Sequence, residues 1–141
     1  MTNIECIRVN IETRRVSGGG TDGDVYLGFA GREFSLDTSA DDFESGSARE
    51  YVLGVDATVK HADTNDPQVP QLGTDHVESF PVYIRFAPTG REDNWALQRA
   101  TVTYNNLLFP MWDTAEHLSP KTGIWLGTHS GLVAHLLLHR G

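Results

Sequence analysis

Short runs of β-branched and aromatic residues, separated by glycine, proline, asparagine and aspartate, fill most of this 141-residue chain. Such runs are typical of strands, and stretches with a helical period are scarce. Strands are expected over residues 4–13, 24–30, 33–37, 49–54, 82–86, 95–104, 107–112 and 132–139. Residues 55–60 either continue the fourth strand or form another, and residues 115–118 suit a helical turn. Many short strands joined by turns favour an all-β, antiparallel sandwich.

The length and the cysteine content limit the architecture further. A chain of 15.6 kDa has the size of one domain, so residues 1–141 are expected to form a single domain with two four-stranded sheets. One cysteine, Cys6, excludes an internal disulfide framework and a cysteine-rich zinc site. Its position in a strand pattern predicts a buried thiol.

No targeting or membrane-spanning segment is expected. The apolar runs fall short of the roughly 18 residues that a membrane-spanning helix needs. Residues 1–10 lack the charged and then apolar pattern of a secretory signal. A cytoplasmic or peripheral membrane location is therefore expected.

The charge balance narrows the choice of partner. Nineteen acidic residues against eleven lysines and arginines give a net charge of −8. Nucleic-acid binding needs a basic face, so this acidic chain is not expected to bind nucleic acid. Unaided docking on anionic lipid is disfavoured for the same reason. Acids gathered in loops would instead suit a hard cation such as calcium.

Two motifs match catalytic or nucleotide-binding patterns by letter but not by context. Residues 18–23 fit G-x-G-x-x-G, yet a strand-like run follows where a dinucleotide site needs a helix. Ser130 lies in a sequence close to G-x-S-x-G, but Thr128 replaces the first glycine and the strand–turn–helix context is missing. No nucleophile–base pair emerges from the sequence, so the chain is not expected to be an enzyme.

An acidic loop spans residues 37–42, with aspartates at 37, 41 and 42. It is not an EF-hand, because Asp42 stands where that loop needs glycine and Ala48 where it needs glutamate. From the residues alone, two interpretations stay open. Either these side chains form Asx turns and remain solvated, or they contribute to a cation site.

Three ordered segments resemble the PLAT/LH2 domain, the C2-like β-sandwich found in lipoxygenases, pancreatic-type lipases, polycystins and clostridial alpha-toxin. The first, residues 20–27 (GTDGDVYL), is similar to the G-T-D-x-x-V-Y run of the family. The second, residues 42–47 (DFESGS), is similar to its D-x-F-x-x-G-S. The third begins at Trp95-Ala96-Leu97, and Trp125-Leu126 follows. The resemblance covers roughly residues 4–139.

The resemblance implies calcium sites at one end of the sandwich. One site would use Thr21, Asp37 and Asp42 together with the carbonyl groups of Thr38 and Ala40. A second would use Asp93 and the carbonyl groups of Gly20 and Asn94. Mixed carboxylate and carbonyl oxygens from irregular loops are the ligands that calcium prefers.

Two departures from the family pattern concern the second site and a third one. Gly18 stands where the family has a carboxylate of the second site, and Gly23 replaces an acid of a third site, of which Asp22 remains. One calcium ion is therefore expected.

By resemblance, the function is non-catalytic, calcium-assisted binding to a membrane lipid or a protein partner. A carbohydrate-binding module is the alternative, because calcium-containing β-sandwiches with exposed tryptophans also bind sugars. The apolar residues Phe109, Met111 and Trp112 are the candidate membrane or partner contacts. They form either an exposed loop tip, expected at the end that carries the acidic loops, or an interior strand.

Overall fold

A computed structural model describes residues 2–114 and 124–141. A 3-10 turn spans Thr74–His76. The strands are β1 (Cys6–Thr13), β2 (Asp24–Phe29), β3 (Arg32–Ser35), β4 (Ala48–Gly54), β5 (Tyr83–Ala87), β6 (Trp95–Tyr104), β7 (Met111–Asp113), β8 (Ile124–Leu126), β9 (Val133–His135) and β10 (Leu137–His139). The helical turn predicted over residues 115–118 lies outside the described residues.

The strands form two antiparallel sheets, which confirms the all-β sandwich. The larger sheet has the order β10-β7-β6-β1-β4, and the smaller one β3-β2-β5-β9. Strand β8 also belongs to the larger sheet, because it pairs with the first residues of β6 while β7 pairs farther along that strand. A strand has two edges and β1 occupies one of them, so β7 and β8 share the other edge.

The described residues therefore contain sheets of six and four strands, where eight strands in two equal sheets were expected. The difference comes from strands of three residues. Residues 132–139 divide into β9 and β10, which join different sheets. Residues 55–60 form turns and not a further strand.

A two-residue turn joins β2 to β3. Phe29 pairs with Arg32, and the intervening Ala30 and Gly31 have φ angles of 53° and 82°. Positive φ at both central positions is the type I′ geometry, whose twist matches that of the strands. The turn thus fixes the register of this hairpin.

One apolar core lies between the sheets. Its largest fully buried side chains include Trp95, Tyr51, Phe29, Phe34 and Phe86. The indole nitrogen of Trp95 donates to Thr13 Oγ1 at 2.9 Å, so its buried polar atom is satisfied. Cys6 is 3% exposed, which confirms the predicted buried thiol.

Strand directions determine which loops meet at each end of the sandwich. Strand β1 runs antiparallel to β6, with Ile7 opposite Tyr104, and β2 runs antiparallel to β5, with Asp24 opposite Ala87. Residues 17–23, 37–47 and 88–94 therefore meet at one end, called here the acidic end. The loop that follows β6 lies at the opposite end, about 30 Å away for a ten-residue strand.

Candidate metal centre

Hydrogen bonds between backbones hold the loops of the acidic end together. The amide of Thr21 donates to the carbonyl of Phe43 at 3.1 Å, and the amide of Ala96 donates to the carbonyl of Gly19 at 2.9 Å. Gly20 packs so closely on the second loop that a Cβ there would lie 2.9 Å from the amide nitrogen of Ser45. The glycines of the G-T-D segment therefore allow two loops to meet.

Carboxylates concentrate around one open cavity of about 200 Å³ between these loops. None of the described residues that line it is basic. Its acidic lining residues are Asp22, Asp24, Asp37, Asp41 and Asp42. Thr21 and Ala40 also line it, so the cavity joins the G-T-D segment to the acidic loop. Such a concentration of negative charge attracts cations.

Asp42 organises the acidic loop from within. Its side chain is 7% exposed. One carboxylate oxygen accepts from the Thr38 hydroxyl and the Tyr51 hydroxyl at 2.9 Å each, and the other accepts from the Thr38 amide at 2.8 Å. Burial and the bond to Asp42 raise the pKa of Tyr51, so its hydroxyl stays a donor.

Asp37 is the more accessible partner of Asp42, with a side chain that is 49% exposed. Partial burial and the neighbouring Asp42 raise the pKa of Asp37, although Lys60, 3.9 Å away, opposes that shift. The folded chain thus resists ionisation of Asp37. A bound cation would remove this repulsion.

Asp93 lies beside the G-T-D segment from a third loop. The Thr21 hydroxyl donates to one of its carboxylate oxygens at 2.7 Å. The amide and the hydroxyl of Thr89 donate to the other at 2.8 and 3.0 Å. Burial alone would raise the pKa of Asp93, but these hydrogen bonds outweigh it and lower the pKa below its usual value. Asp93 is therefore an ionised anchor between loops.

A second open cavity of about 430 Å³ lies next to the first. Gly20 and Asp93 line it together, and Thr21 and Asp22 line both cavities. Asn94 is absent from this lining. Its side chain lies against Gly127 instead. Of the three residues predicted for the second calcium site, two thus meet at one cavity.

The donor set suits calcium in its chemistry, because residues with carboxylate and hydroxyl oxygens line both cavities. Within residues 2–114 and 124–141, however, no three histidine, cysteine, aspartate or glutamate side chains are already grouped tightly enough to hold a metal. The exposed carboxylates of Asp22, Asp24 and Asp41 would have to move closer together to complete a ligand shell.

Sequence reasoning missed two residues at this end. Asp24 and Asp41 line the first cavity, but only Asp41 belongs to the acidic loop that the sequence indicates. Trp125 pairs with Ala96 at the start of β6 and is 39% exposed. It belongs to a family-like motif, but its exposure depends on β8, which the sequence pattern does not predict.

The predicted apolar contact segment divides in two, which corrects its interpretation as one exposed tip. Trp112 is 4% exposed and packs edge-on against Phe29, with ring centroids 5.2 Å apart. It cannot serve as a surface contact, because β7 carries it into the core. Met111 is partly buried in the same strand, whereas Phe109 is 41% exposed. Moreover, Phe109 follows β6 and lies opposite the acidic end.

Known structures with the same architecture cover nearly the whole chain. Alpha-toxin from Clostridium perfringens, isolated from avian strain SWCP, aligns with 96% of this chain at a TM-score of 0.64 and 20% identity. The alpha-toxin from Clostridium absonum also aligns with 96%, at a TM-score of 0.60 and 20% identity. Coral 8R-lipoxygenase, a protein with calcium activation via a C2-like domain, aligns with 94% of this chain at a TM-score of 0.59 and 17% identity.

The chain has the PLAT/LH2 fold. At these identities the likeness establishes the fold alone, and it confirms the expectation drawn from the three motifs. The chain covers 32% of the length of each toxin chain and 17% of the length of the lipoxygenase chain. No protein-family model and no curated relative matches the sequence.

Proposed function

We propose that the chain is a non-catalytic, calcium-assisted module that binds membrane lipid through its acidic end. The observation that carries this proposal is the cavity whose lining, within the described part of the chain, holds five aspartates and no basic residue. The calcium activation of coral 8R-lipoxygenase via a C2-like domain supports it by analogy of fold. Among the described residues, no helix is long and apolar enough to cross a membrane.

Asp37 and Asp42 would hold the ion, with Thr21 beside them and the carbonyl groups of Thr38 and Ala40 as further ligands. Asp22 would add a carboxylate from the G-T-D segment. Bound calcium supplies positive charge that neutralises these acids and can be shared with a phosphate headgroup. Asp42 keeps the loop folded, while the more accessible Asp37 meets the ion.

Trp125 and Leu132 give this end an apolar component. They are 39% and 41% exposed, and they flank the turn at Gly127, against which the Asn94 side chain lies. A lipid surface bound by calcium at the acidic cavity would therefore also meet apolar side chains. Carbohydrate binding lacks comparable support, since Trp95 and Trp112 are buried and the ring of Tyr26 is covered by Arg85 at 4.2 Å.

Calorimetry with Asp37→Asn tests the calcium assignment. We expect at least a tenfold loss of calcium affinity, because one exposed carboxylate of the site is neutralised. The melting temperature without calcium should not fall, because the repulsion between Asp37 and Asp42 is removed. Asp75→Asn is the matched control: it makes the same charge change in the 3-10 turn, away from the acidic end.

Flotation with vesicles tests the lipid assignment. Wild type should bind phosphatidylserine-containing vesicles more in calcium than in EDTA, and Asp37→Asn should lose that increment. A wild-type protein without any calcium-dependent heat or thermal shift at millimolar calcium would overturn the proposal. Calcium binding without a lipid increment would overturn the lipid part alone.

A further inference from the structure

Three exposed apolar side chains form a tip at the end of the sandwich opposite the acidic cavity. This apolar tip consists of Leu107, Leu108 and Phe109, which are 45%, 79% and 41% exposed. It lies within a segment, residues 100–112, that contains no charged side chain and no histidine. Leu108 is the most exposed large apolar residue that the structure describes.

The backbone before the tip is held in one conformation. Asn105 and Asn106 have φ angles of 53° and 57°, and the Leu107 amide donates to the Tyr104 carbonyl at 3.0 Å, as in a type I′ turn. The Asn105 side chain accepts from the Glu5 amide at 2.7 Å and donates to the Asn3 carbonyl at 2.9 Å. Order at the tip therefore costs little on binding.

Two arginines flank the tip, and each is neutralised. Arg8 donates to the Asn106 side chain at 2.7 Å and pairs with Glu50 at 2.9 Å. Arg140 pairs with Glu78, and the next residue, Gly141, lies beside the ring of Phe109. Both flanking arginines are thus paired with carboxylates, so they offer little attraction to an anionic surface, and a zwitterionic surface suits the tip better.

The size of the tip favours lipid over protein as its occupant. Fully accessible side chains of this kind offer roughly 150–250 Å² each, so the tip offers on the order of 300 Å². A stable protein interface buries about 800 Å² on each partner and needs a matching surface. A bilayer needs no matching pocket, and a protruding apolar loop can enter its interface directly.

We propose that the apolar tip is a second lipid contact, which inserts into the interface of a neutral bilayer without calcium. It acts independently of the proposed calcium site, because the length of β6 separates the two ends. Leu108 enters most deeply, Leu107 and Phe109 follow, and the flanking arginines remain at the level of the headgroups.

Flotation on phosphatidylcholine vesicles in EDTA tests this proposal. Wild type should partition measurably at millimolar lipid, and Leu108→Ser should lower the partition coefficient at least fivefold without changing the melting temperature. Val133→Ser is the matched control, because Val133 is 42% exposed on the other sheet. This control should bind like wild type. Raising the salt concentration should leave the partition unchanged.

Three results would overturn the assignment. Wild type that stays off phosphatidylcholine vesicles in EDTA excludes it, and so does a Leu108→Ser variant that binds as well as wild type. Sedimentation velocity provides the third: self-association that Leu108→Ser abolishes would make the tip a contact between copies of the chain. The heat of calcium binding to Leu108→Ser must equal that of wild type. A failure of the apolar-tip assignment is then distinguishable from a failure of the calcium site.

Discussion

Two neighbouring aspartates of the acidic loop have different environments and therefore different tasks. Asp42 is buried and accepts three hydrogen bonds from its own loop and from β4, so it maintains the loop whether or not an ion is present. Asp37 is half exposed, and burial together with the nearby Asp42 raises its pKa. The Asx-turn and cation-site interpretations of this loop are thus compatible, since Asp42 accepts the hydrogen bonds of the turn and, in the proposed site, shares the ion with the more accessible Asp37.

Asp93 offers a residue-scale prediction about pH. Its folded-state pKa is lowered, so its stabilisation is present above the usual pKa of about 3.9 and is lost as pH falls through the lowered value. We expect Asp93→Asn, in EDTA, to destabilise the fold by about 1–2 kcal/mol at pH 7. The difference in stability between wild type and this variant should shrink below about pH 4, as followed by thermal melts. A difference that stays constant from pH 7 to pH 3 would contradict this role.

At the scale of elements, strong alternation and turn chemistry made strands predictable. Strand β6 has the predicted bounds of residues 95–104, because its buried positions alternate from Ala100 to Tyr104, after which the two asparagines turn the chain. The strands β8, β9 and β10 have three residues each, too few for a pattern, and they depend on their neighbours for pairing. Residues 107–112 show apolar bulk throughout, so their sequence does not reveal where the tip ends and β7 begins.

The candidate site shows the same limit. The acids that are adjacent in sequence, in the G-T-D segment and in residues 37–42, were found from the sequence and its family-like motifs. Asp24 was not, since it joins the cavity only because β2 begins beside the acidic loop. The location of the apolar tip likewise depends on the direction of β6, which periodicity does not supply.

The outer face of the smaller sheet provides an element-scale prediction. Gly28 of β2 lies opposite Tyr83 of β5, and a Cβ at Gly28 would overlap the tyrosine ring. Gly28→Ala should displace that ring, disturb its hydrogen bond to Glu33 and destabilise the fold by about 1–3 kcal/mol in urea denaturation. Gly90→Ala, with no atom within 4 Å of its Cβ position, should change stability by less than about 0.5 kcal/mol. Equal effects of the two would contradict this packing.

The whole molecule has two chemically different ends. Carboxylates line cavities at one end, whereas the other carries an uncharged tip flanked by paired arginines. One apolar core joins both sheets of the sandwich between the two ends. If each end contacts lipid as proposed, the contacts face in opposite directions and cannot both reach one flat bilayer.

Clustering of vesicles is therefore expected at the scale of the whole molecule. In calcium, with phosphatidylcholine vesicles mixed with separate phosphatidylserine-containing vesicles, the acidic end binds a phosphatidylserine-containing bilayer and the apolar tip a phosphatidylcholine bilayer, about 30 Å away along β6. Turbidity should rise with wild type and reverse on adding EDTA. Asp37→Asn and Leu108→Ser should each abolish the rise, although each variant keeps the contact made by its intact end. Clustering that persists in Leu108→Ser would mean that both bilayers are held from the acidic end, as a calcium-linked dimer of the chain would hold them.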